Sequence, residues 1–586
     1  MTSHSAIDPE TSDLVQPWID IYPDNIDWAE PIEKRPLFKL IDDAVEAYPD
    51  NVCTNFLGRT LSYRDMSDKI NEAAAALQKN GIQKGARVGL FLPNSPTYIV
   101  YYFAILKVGG IVVNFNPLYT NEELAYQVRD SGVELMVTLD LKTLFDKVEQ
   151  LVADNVLQRA LICSFTGLLT GTKAALFKLF KAKELARPLA SPVTDKLLIE
   201  ADVLIAGEQP EAVEIDPTHD LAVLQYTGGT TGTPKGAMLT HYNVYANAEQ
   251  VSRWSPELEY GNERFLGVLP FFHVFAMTVV MNFAIRKASS IVILPRFDLM
   301  ATLKLIHSAK PTVMPAVPTL FNAMLNEPKI GKFDLSSLKY CISGGAPLPI
   351  SVKRGFEAVS GCTVVEGYGL SEAAPVVTCN PIAGPVREGS IGIPLPQTLV
   401  SLRALDDPGR AVEVGEKGEI CVSGPQVMPG YWQRPDETEL VFTPDRWLRT
   451  GDVARMDPDG MLRIEDRIKD LIICSGYNVY PRQIEDAIYA HDAVEEVTVI
   501  GVEDNYRGEV PKAFIKLKSD ASVTADDILA HLETKLSKIE LPAHIEFRDE
   551  LPKTMIGKLS KKELREAEEH AAQRARQSEG AQQPQA

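Results

Sequence analysis

The chain has 586 residues, of which 45% are hydrophobic and 24% charged, and its 59 Lys and Arg against 79 Asp and Glu give a net charge of −20. This length exceeds what one hydrophobic core supports, so two or more domains are expected, and the ordinary composition excludes a fibrous or disordered chain. The acidic balance argues against a nucleic-acid partner, because a negative surface repels a phosphate backbone.

The cysteines and the apolar runs indicate in which cellular compartment the protein is expected. Seven cysteines are scattered without a CxxC pair, which predicts free thiols in a reducing environment. The acidic start MTSHSAIDPETSDLV lacks the basic region and apolar core of a secretory signal. The most apolar run, FFHVFAMTVVMNFAI from Phe271, spans fifteen residues and is too short for a bilayer. We therefore predict a cytoplasmic protein.

Most of the first 400 residues have an α/β pattern. From Val88, VGLFLPNSPTYIVYYFAILKVGGIVVNFN predicts a strand, a loop, a helix and a second strand, which is a βαβ unit. Similar alternation in SSIVILP and PTVMPAVPTLFNAML predicts a largely parallel sheet. After about Val400, the short alternating segments VSLRAL, GEICVSG and GMLRIED predict antiparallel structure instead.

The chain beyond Lys469 predicts a small α+β domain. The helix PRQIEDAIYA, the strands VEEVTVIGV and PKAFIKLK, and an amphipathic helix with Ile528, Leu532 and Leu536 on one face are enough for a separate core. We place the domains at residues 1–466 and 467–566. Residues 567–586 have little apolar content and are expected to form a disordered tail.

A basic segment stands out in this acidic chain. LLTGTKAALFKLFKAKELARPL, from Leu168, carries Lys173, Lys178, Lys181 and Lys183 among Leu and Phe. One interpretation is an ordinary surface helix whose apolar side faces the core. The other is a helix that binds peripherally to the anionic inner face of the cell membrane.

The stretch Tyr226 to Gly236, YTGGTTGTPKG, follows the apolar run LAVLQ. A glycine-rich loop after a strand points backbone N–H groups into one concavity, and threonine hydroxyls and Lys235 add donors, so the stretch predicts a phosphate cradle. It is not a Walker loop, because GxxxxGK[ST] fails where Gly236 follows Lys235. A glycine-threonine turn without a ligand is the alternative.

Further loops follow in order. They read SGGAPLP from Ser343, EGYGLSE from Glu366, RTGDVARMDPDG, DRIKDLIICSGYNVYP and LPKTMIGKLSKKELR. Together with YTGGTTGTPKGAMLTH, these motifs resemble the adenylate-forming superfamily of acyl-CoA synthetases, adenylation domains and luciferases, over roughly Leu37 to Arg565. Within it, LPFFHVFAM, PTLFNAML and WLRTGDVARMDPDGMLRIEDRIKD are most similar to bacterial long-chain fatty-acid CoA ligases.

The resemblance implies a fold and a two-step reaction. The fold is a large N-terminal domain of α/β subdomains with parallel sheets and a distorted antiparallel β-barrel, followed by a small mobile α+β domain. In the reaction, a fatty carboxylate attacks the α-phosphorus of ATP with Mg²⁺ present, pyrophosphate leaves, and CoA then displaces AMP. A homodimer is considered as the assembly.

The resemblance also implies an ATP site. The phosphate loop comprises Tyr226, Thr227, Gly228, Gly229, Thr230, Thr231, Gly232, Thr233, Pro234, Lys235 and Gly236. The adenine and ribose side comprises Gly344, Gly345, Ala346, Glu366, Gly367, Tyr368, Gly369, Ser371, Asp452 and Arg467. Among these, Asp452 is expected to bind the ribose hydroxyls. Glu372 is expected to hold Mg²⁺, with Thr227 beside it.

Other positions carry the chemistry that the resemblance implies. Lys558 is the expected cation that bridges the attacking carboxylate and the α-phosphate, and a solvated surface lysine is the alternative. Lys469 is the expected hinge of the small domain. The loop of Ser475, Gly476 and Tyr477 is the expected CoA contact. His273 is considered as a base for the thiol, against the alternative of a core histidine.

The acyl pocket is expected along Phe271 to Met277, including Phe271 and Phe272, at the helix start from Val317 to Phe321, and at the residues after Gly345 and Gly369. Long aliphatic acids suit such a lining, because each buried methylene contributes about 0.8 kcal/mol. Aryl or medium-chain acids, and an acyl-AMP ligase without CoA, remain as alternatives. A non-catalytic relative would be expected to lack Lys558, Glu372 or Asp452, and all three are present.

Overall fold

The computed structural model describes residues 16–227, 234–382, 386–475, 477–504, 506–519, 521–554 and 557–580. Strands and helices alternate through its first part. The strands there are β1 Val52–Phe56, β2 Arg59–Ser62, β3 Arg87–Leu90, β4 Ile111–Asn114, β5 Leu135–Leu139, β6 Arg159–Cys163, β7 Leu197–Ile199, β8 Leu221–Thr227, β9 Lys235–Thr240, β10 Arg264–Gly267 and β11 Ser290–Ile293. The helices there are α1 Lys39–Ala47, α2 Tyr63–Lys79, α3 Pro96–Lys107, α4 Asn121–Ser131, α5 Lys142–Ala153, α6 Gly171–Phe180, α7 Glu200–Val203, α8 His241–Trp254 and α9 Phe283–Arg286.

The middle part continues the alternation and then becomes strand-rich. Its strands are β12 Val313–Ala316, β13 Tyr340–Ser343, β14 Thr363–Gly369, β15 Val376–Cys379, β16 Ile393–Pro394, β17 Leu399–Arg403, β18 Lys417–Ser423, β19 Gly430–Tyr431, β20 Leu448–Met456 and β21 Leu462–Arg467. Its helices are α10 Leu299–Ala309, α11 Pro318–Leu325, α12 Ile350–Ser360 and α13 Pro435–Leu440.

The last part holds the remaining elements. Its strands are β22 Ile472–Cys474, β23 Tyr477–Val479, β24 Val494–Asp504, β25 Gly508–Leu517 and β26 His544–Phe547, and its helices are α14 Pro481–Tyr489, α15 Ala525–Glu533 and α16 Lys561–Gly580. Short 3₁₀ turns occupy Pro17–Ile21, Thr166–Leu168, Ala182–Glu184, Pro188–Ala190, Thr194–Lys196, Ile330–Lys332, Ser371–Ala373 and Ile468–Asp470, and a π-helix occupies Ala276–Asn282.

The predicted βαβ unit is confirmed. Strands β3 and β4 are parallel neighbours, and α3 connects them. Helix α3 begins where Ser95 accepts the N–H of Tyr98 and Pro96 takes the first turn, and it is buried over nearly its whole length. A helix that is apolar all round packs inside a protein, so α3 belongs to the interior of the large domain.

Two large sheets carry the main domain. One has eight strands in the order β19-β9-β8-β4-β3-β5-β6-β7, and the other has nine in the order β16-β15-β14-β13-β12-β10-β11-β1-β2. Their central pairs are parallel, as predicted, and antiparallel pairs lie towards the edges. Parallel strands place their carboxyl ends, and the loops that follow them, at one edge of the sheet.

The antiparallel unit predicted after Val400 is a sheet of four strands, β17-β18-β20-β21. The expectation of a distorted antiparallel barrel corresponds to this sheet, whose four strands pair in that order in the described part of the chain. The sheet meets the rest of the domain through the bridge between Gly392 and Leu462.

The hydrophobic cores divide near the predicted domain boundary. One large buried cluster includes residues from Trp18 to Leu462, and separate clusters begin at Ile472 in the small domain. The proposed boundary at 466–467 lies in the interval between them. All seven cysteines are free and buried, as predicted.

The C-terminal segment differs from the sequence prediction. We expected disorder over 567–586, whereas α16 extends to Gly580, and residues 581–586 lie outside the described part of the chain. The reason is local, because Ala, Glu, Gln and Arg are strong helix formers and need little tertiary support to continue a helix that has already begun.

Candidate active site

A cavity of about 620 Å³ lies where both large sheets, the four-stranded sheet and the small domain meet. It brings together many of the predicted site residues. Its wall includes Thr227, Lys235, His273, Gly344, Gly345, Gly367, Tyr368, Gly369, Ser371, Glu372, Asp452, Arg467, Lys469 and Lys558. These residues are spread over more than three hundred positions of sequence, so the fold assembles the site.

The phosphate loop begins and ends on paired strands. Strands β8 and β9 are antiparallel neighbours in which Thr227 lies opposite Lys235, so both ends of the loop are fixed. The phenol of Tyr226 donates to Asp130 at 2.6 Å, and Tyr126 donates to the carbonyl of Pro234 at 3.1 Å. The predicted contacts at Gly228, Gly229, Thr230, Thr231, Gly232 and Thr233 lie outside the described residues.

Gly236 follows the loop and packs under Tyr226. A Cβ atom at Gly236 would lie 3.2 Å from the Tyr226 ring, which is tighter than ordinary contact. Neither Gly236, Tyr226 nor Pro234 is part of the cavity wall. These three residues therefore support the ends of the loop, whereas Thr227 and Lys235 face the cavity.

The ammonium of Lys235 is held by a carboxylate and an aromatic ring. It forms an ion pair with Glu437 of α13, and its Nζ lies 5.4 Å from the centroid of the Tyr431 ring. Glu437 also lies 3.7 Å from Nε of Arg434, which pairs with Asp130. This cluster could not be predicted from the sequence, because α13 lies two hundred residues beyond the loop.

Glu372 lies in the short turn Ser371–Ala373 and reaches the cavity. The phenol of Tyr431 donates to Oε1 of Glu372 at 2.7 Å. The backbone carbonyl of Glu372 accepts the N–H of Met428 at 2.8 Å. Tyr431 thus fixes one carboxylate oxygen. Among the described residues, no group of three or more His, Cys, Asp or Glu is arranged to hold a metal ion.

Asp452 and Tyr368 form a second polar group. Asp452 on β20 lies opposite Arg467 on β21, and the Arg467 Nε is 3.2 Å from its Oδ1. The Tyr368 hydroxyl donates to the other oxygen, Oδ2, at 2.5 Å. Burial, together with this carboxylate, raises the pKa of Tyr368 well above its usual value. Tyr368 is therefore a neutral, fixed donor.

Two predicted nucleotide residues are not part of the cavity wall. Neither Ala346 nor Glu366 lines it. The Glu366 carboxylate is buried and accepts the N–H of Leu348 at 3.2 Å, and burial raises its pKa to about 7. Because this carboxylate accepts a hydrogen bond from the loop after β13, we infer that Glu366 stabilises that loop.

Lys558 reaches the cavity from the small domain. Its side chain passes over Gly345, where a Cβ would lie 2.7 Å from its Cε and 3.0 Å from its Nζ. The adjacent Gly557 carbonyl accepts a hydrogen bond from the Thr319 hydroxyl at 2.6 Å, which fastens the lysine loop to the start of α11. Burial, and then the charge of Arg467, lower the pKa of Lys558 to about 8.

His273 lies near Lys558, and its imidazole is neutral at pH 7. Its Nδ1 accepts the N–H of Phe275 at 3.3 Å, so the ring proton is on Nε2. Burial, and then the charge of Lys558, lower its pKa to about 3. His273 lines the cavity, and a neutral imidazole with its proton on Nε2 can donate a hydrogen bond there, while its role in thioester formation stays a prediction.

One half of the cavity is apolar. Its wall there comes from α8, the π-helix and the segment around β15, and includes Val251, Trp254, Val279, Cys379, Ile382 and Leu395. The indole of Trp254 donates to the Asn380 carbonyl at 3.2 Å, which fixes its ring. A π-helix is rare and occurs frequently at functional sites. This half is shaped to enclose a nonpolar group.

Four of the predicted acyl-pocket residues do not form this wall. Phe271, Phe272, Val317 and Phe321 are absent from it. Phe271 packs edge-on against Tyr98, with centroids 5.7 Å apart, and Phe321 packs against Phe356. Within the predicted stretch Phe271 to Met277, Val274 and Phe275 line the cavity, and the sequence did not predict Val251 and Trp254, which lie three positions apart on α8.

The expected hinge and CoA residues lie in different settings. Lys469, in the turn Ile468–Asp470, lines the cavity, and burial lowers its pKa. Ser475 and Tyr477 belong to the hairpin of β22 and β23 outside the cavity wall, and Tyr477 is exposed. Gly476 lies outside the described residues.

Part of the basic segment forms α6, which has apolar contacts with the core and several exposed apolar side chains. Phe177 packs against Phe165, with centroids 5.0 Å apart, so part of the helix faces the core. Yet Leu179 is 72% exposed and Phe180 is 77% exposed, and Leu176 is exposed beside them. Within the described residues, no helix has the length and apolar content needed to cross a membrane.

Comparisons with protein families are informative over nearly the whole chain. The model of the AMP-binding enzyme family matches residues 41–432, and that of the AMP-binding enzyme C-terminal domain matches residues 483–558. A long-chain-fatty-acid–CoA ligase of Bacillus subtilis is 42% identical over 94% of this chain and 98% of its own. One of Escherichia coli O157:H7 is 38% identical over the same shares.

Solved structures show the same fold. ATP-bound MatB from Rhodopseudomonas palustris is similar with a TM-score of 0.77 and 29% identity, over 91% of this chain and 98% of that one. A fatty acyl CoA synthetase of Mycobacterium tuberculosis is similar with a TM-score of 0.67 and 26% identity, over the same shares. These neighbours agree with the predicted class of a large α/β domain and a small C-terminal one.

Proposed function

The chain belongs to the AMP-binding enzyme family, and we propose that it is an ATP-dependent long-chain fatty-acid CoA ligase. One observation carries the proposal. A single cavity joins a polar half, with Lys235, Glu372 and Asp452, to an apolar half, and Lys558 reaches it from the small domain. A nucleotide and an aliphatic acid can therefore meet inside one enclosure with a cation.

In the first step, the carboxylate attacks the α-phosphorus of ATP and pyrophosphate leaves. A fatty acid has a pKa near that of glutamic acid, about 4.3, and needs no base at pH 7. The chain must hold the two anions together and neutralise charge on the phosphate oxygens. We assign the first task to Lys558, which lines the cavity from the small domain, and the second to Lys235 and Thr227.

The nucleoside is held by the other polar group. Tyr368 lines the same cavity as Gly344 and Gly345, and we assign to it the adenine face. Asp452 accepts from Tyr368 and Arg467, but each carboxylate oxygen has a second lone pair for a ribose hydroxyl. The two fixed donors orient Asp452 before the nucleotide arrives, so little ordering is left for binding.

The residues present fit Mg²⁺. Magnesium usually takes one or two carboxylates together with substrate phosphates and water, so a cluster of three protein carboxylates is not needed. Glu372 has Oε1 fixed by Tyr431 and leaves Oε2 for a ligand, and Thr227 lines the same cavity. When bound there, the ion would neutralise phosphate charge.

In the second step, CoA attacks the acyl-adenylate and AMP leaves. In the structure the Lys558 side chain lies directly over Gly345, inside the cavity, which is the position that the first step requires. We propose that rotation about Lys469 withdraws Lys558 and brings the hairpin with Ser475, Gly476 and Tyr477 to the cavity. His273 Nε2–H then donates a hydrogen bond to the acyl carbonyl or phosphate, and the thiol proton passes to the departing AMP phosphate or to water.

The long-chain assignment rests on the apolar half of the cavity. An aryl or medium-chain acid is the runner-up, because a relative of Dictyostelium discoideum, 32% identical, is a probable 4-coumarate–CoA ligase. An acyl-AMP ligase is the other alternative. Aliphatic walls from Val251, Val279 and Leu395 favour a chain of methylenes over a polar aryl group.

We further propose that α6 contacts an anionic membrane from the cytoplasmic side. Leu176, Leu179 and Phe180 give an exposed apolar surface, and Lys178 and Lys181 give it positive charge in a protein of net charge −20. Fatty acids partition into membranes, so such a surface would bring the enzyme to its substrate. A homodimer remains a second proposal for the assembly.

Two experiments test these proposals. Pyrophosphate release is measured with carboxylates from acetate to oleate, with and without CoA. We expect a maximum with long aliphatic acids and acyl-CoA as product; a maximum with benzoate or cinnamate, or no acyl-CoA, would refute the assignment. For the membrane, sedimentation with anionic vesicles should be salt-sensitive and lost in Lys178→Glu/Lys181→Glu, but kept in the exposed control Lys329→Glu/Lys332→Glu.

A further inference from the structure

A row of alternating charges lies at the base of the phosphate loop. Lys235 pairs with Glu437, Arg434 Nε lies 3.7 Å from Glu437 Oε1, and Arg434 Nη2 lies 2.5 Å from Asp130 Oδ1. Asp130 in turn accepts from Tyr226, at the other end of the loop. Glu437 is thus shared by two cations, one of which faces the cavity.

Lys235 needs a counter-charge at all times. The Lys235 side chain is only 15% exposed, and Lys235, the first residue of β9, is held opposite Thr227 of β8. An ammonium held this far from water is costly without an anion beside it. With no phosphate in the cavity, Glu437 is that anion.

The two carboxylates of the row are not equally fixed. Asp130 is 10% exposed and has a second donor in Tyr226, so it stays with Arg434. The Glu437 side chain is 34% exposed and lies in the first turn of the short helix α13. Glu437 can therefore turn towards water when another anion approaches Lys235, and return when that anion leaves.

We propose that Glu437 competes with phosphate oxygens for Lys235 and so promotes release of pyrophosphate after the first step. The inference rests on the proposed function, since it takes Lys235 as a contact of the β- and γ-phosphates. Two anions cannot share one partly buried ammonium without repulsion. Glu437 is a positioning residue that acts through Lys235, and it limits how tightly the cavity retains its product.

Removing only the charge isolates this effect. Glu437→Gln keeps the size of the side chain, so Lys235 loses its competitor but not its neighbour. We expect inorganic pyrophosphate to bind about five- to tenfold more tightly, and the KM for ATP to fall by a similar factor, because the repulsion is lost at a partly exposed site. We expect kcat to stay level or fall, since product leaves more slowly.

The matched control is Glu439→Gln on the same helix, whose side chain is 76% exposed and pairs with Arg446 at 3.1 Å, away from the cavity. Binding of inorganic pyrophosphate with Mg²⁺ is measured by calorimetry, together with its inhibition constant in the adenylation assay. The control should match the wild type. Glu437→Ala should change pyrophosphate binding in the same direction as Glu437→Gln and serves if the latter folds poorly.

The outcomes separate this inference from the proposed function. Calorimetry needs no acyl substrate, so it reports on Glu437 even if fatty acids prove not to be substrates. Unchanged or weaker pyrophosphate binding in both Glu437 variants would overturn the inference and would mean that Glu437 orients Lys235 for phosphate. Failure of the wild type to release pyrophosphate with any fatty acid would instead overturn the proposed function.

Discussion

Replacing Lys558 by alanine should disable the first half-reaction and spare the second. Removal of one charged or polar donor from a developing oxyanion costs typically about 10²- to 10³-fold in rate, or about 2.7–4 kcal/mol. Lys558 is the cation that passes over Gly345 into the cavity. In the proposed mechanism, removal of Lys558 leaves no cation to bridge the attacking carboxylate and the α-phosphate. Thioester formation from supplied acyl-AMP does not use Lys558 in that mechanism.

The titration of Lys558 makes the prediction quantitative. Burial lowers its pKa to about 8, so the ammonium is mostly present at pH 7 and mostly lost at pH 9. If the first step needs the charged form, kcat/KM for adenylation should fall about tenfold between these pH values. The profile of kcat should shift to higher pH, because bound ATP is an anion that stabilises the ammonium.

The assay is pyrophosphate release for the first half-reaction and acyl-CoA formation from synthetic acyl-AMP for the second. Lys562→Ala is the control, because Lys562 lies four positions away and its side chain is 69% exposed. In Lys558→Ala the residual adenylation should lose its decline between pH 7 and pH 9. Equal losses in both half-reactions, or an unchanged pH profile, would refute the role assigned to Lys558.

Three further substitutions test other parts of the site. Gly345→Ala places a Cβ 2.7 Å from Lys558 Cε at a φ of +80°, so adenylation should fall about tenfold, at a cost of about 1–3 kcal/mol in the free energy of unfolding; wild-type pyrophosphate release would contradict this. Asp452→Asn removes the charge opposite Arg467, and the KM for ATP should rise about tenfold, as for loss of a charge-assisted hydrogen bond; an unchanged KM would exclude Asp452 from nucleotide binding. Val251→Phe adds bulk to the apolar wall, so the preferred acyl chain should shorten; an unaltered chain-length profile would show that the acid binds elsewhere.

The sequence predicted well those features that depend on local pattern. The βαβ unit around α3 was visible because a strand, a proline-started helix and a second strand are each local signals. The loop at Lys235, the turn at Glu372 and the loop at Lys558 could be assigned a common site only through the resemblance of their motifs. Their convergence in one cavity is a property of the tertiary fold.

The sequence was less informative about which apolar side chains pack in the core and which line the cavity. Phe271 and Val251 are both buried hydrophobic residues, but one packs in the core and the other lines the cavity. Hydrophobicity alone cannot separate these two environments, because both remove the side chain from water. The pairing of Lys235 with Glu437 was equally invisible, since no periodicity relates positions two hundred residues apart.

The contact of Lys558 with Gly345 also has a consequence during synthesis. A ribosome completes the phosphate-loop region long before it reaches the lysine, and domains fold as units in that order. A nascent or prematurely terminated chain can therefore build the ATP-facing sheets but lacks Lys558, the cation that we propose joins ATP to the acid. On that proposal, such a fragment is expected to have no adenylating activity.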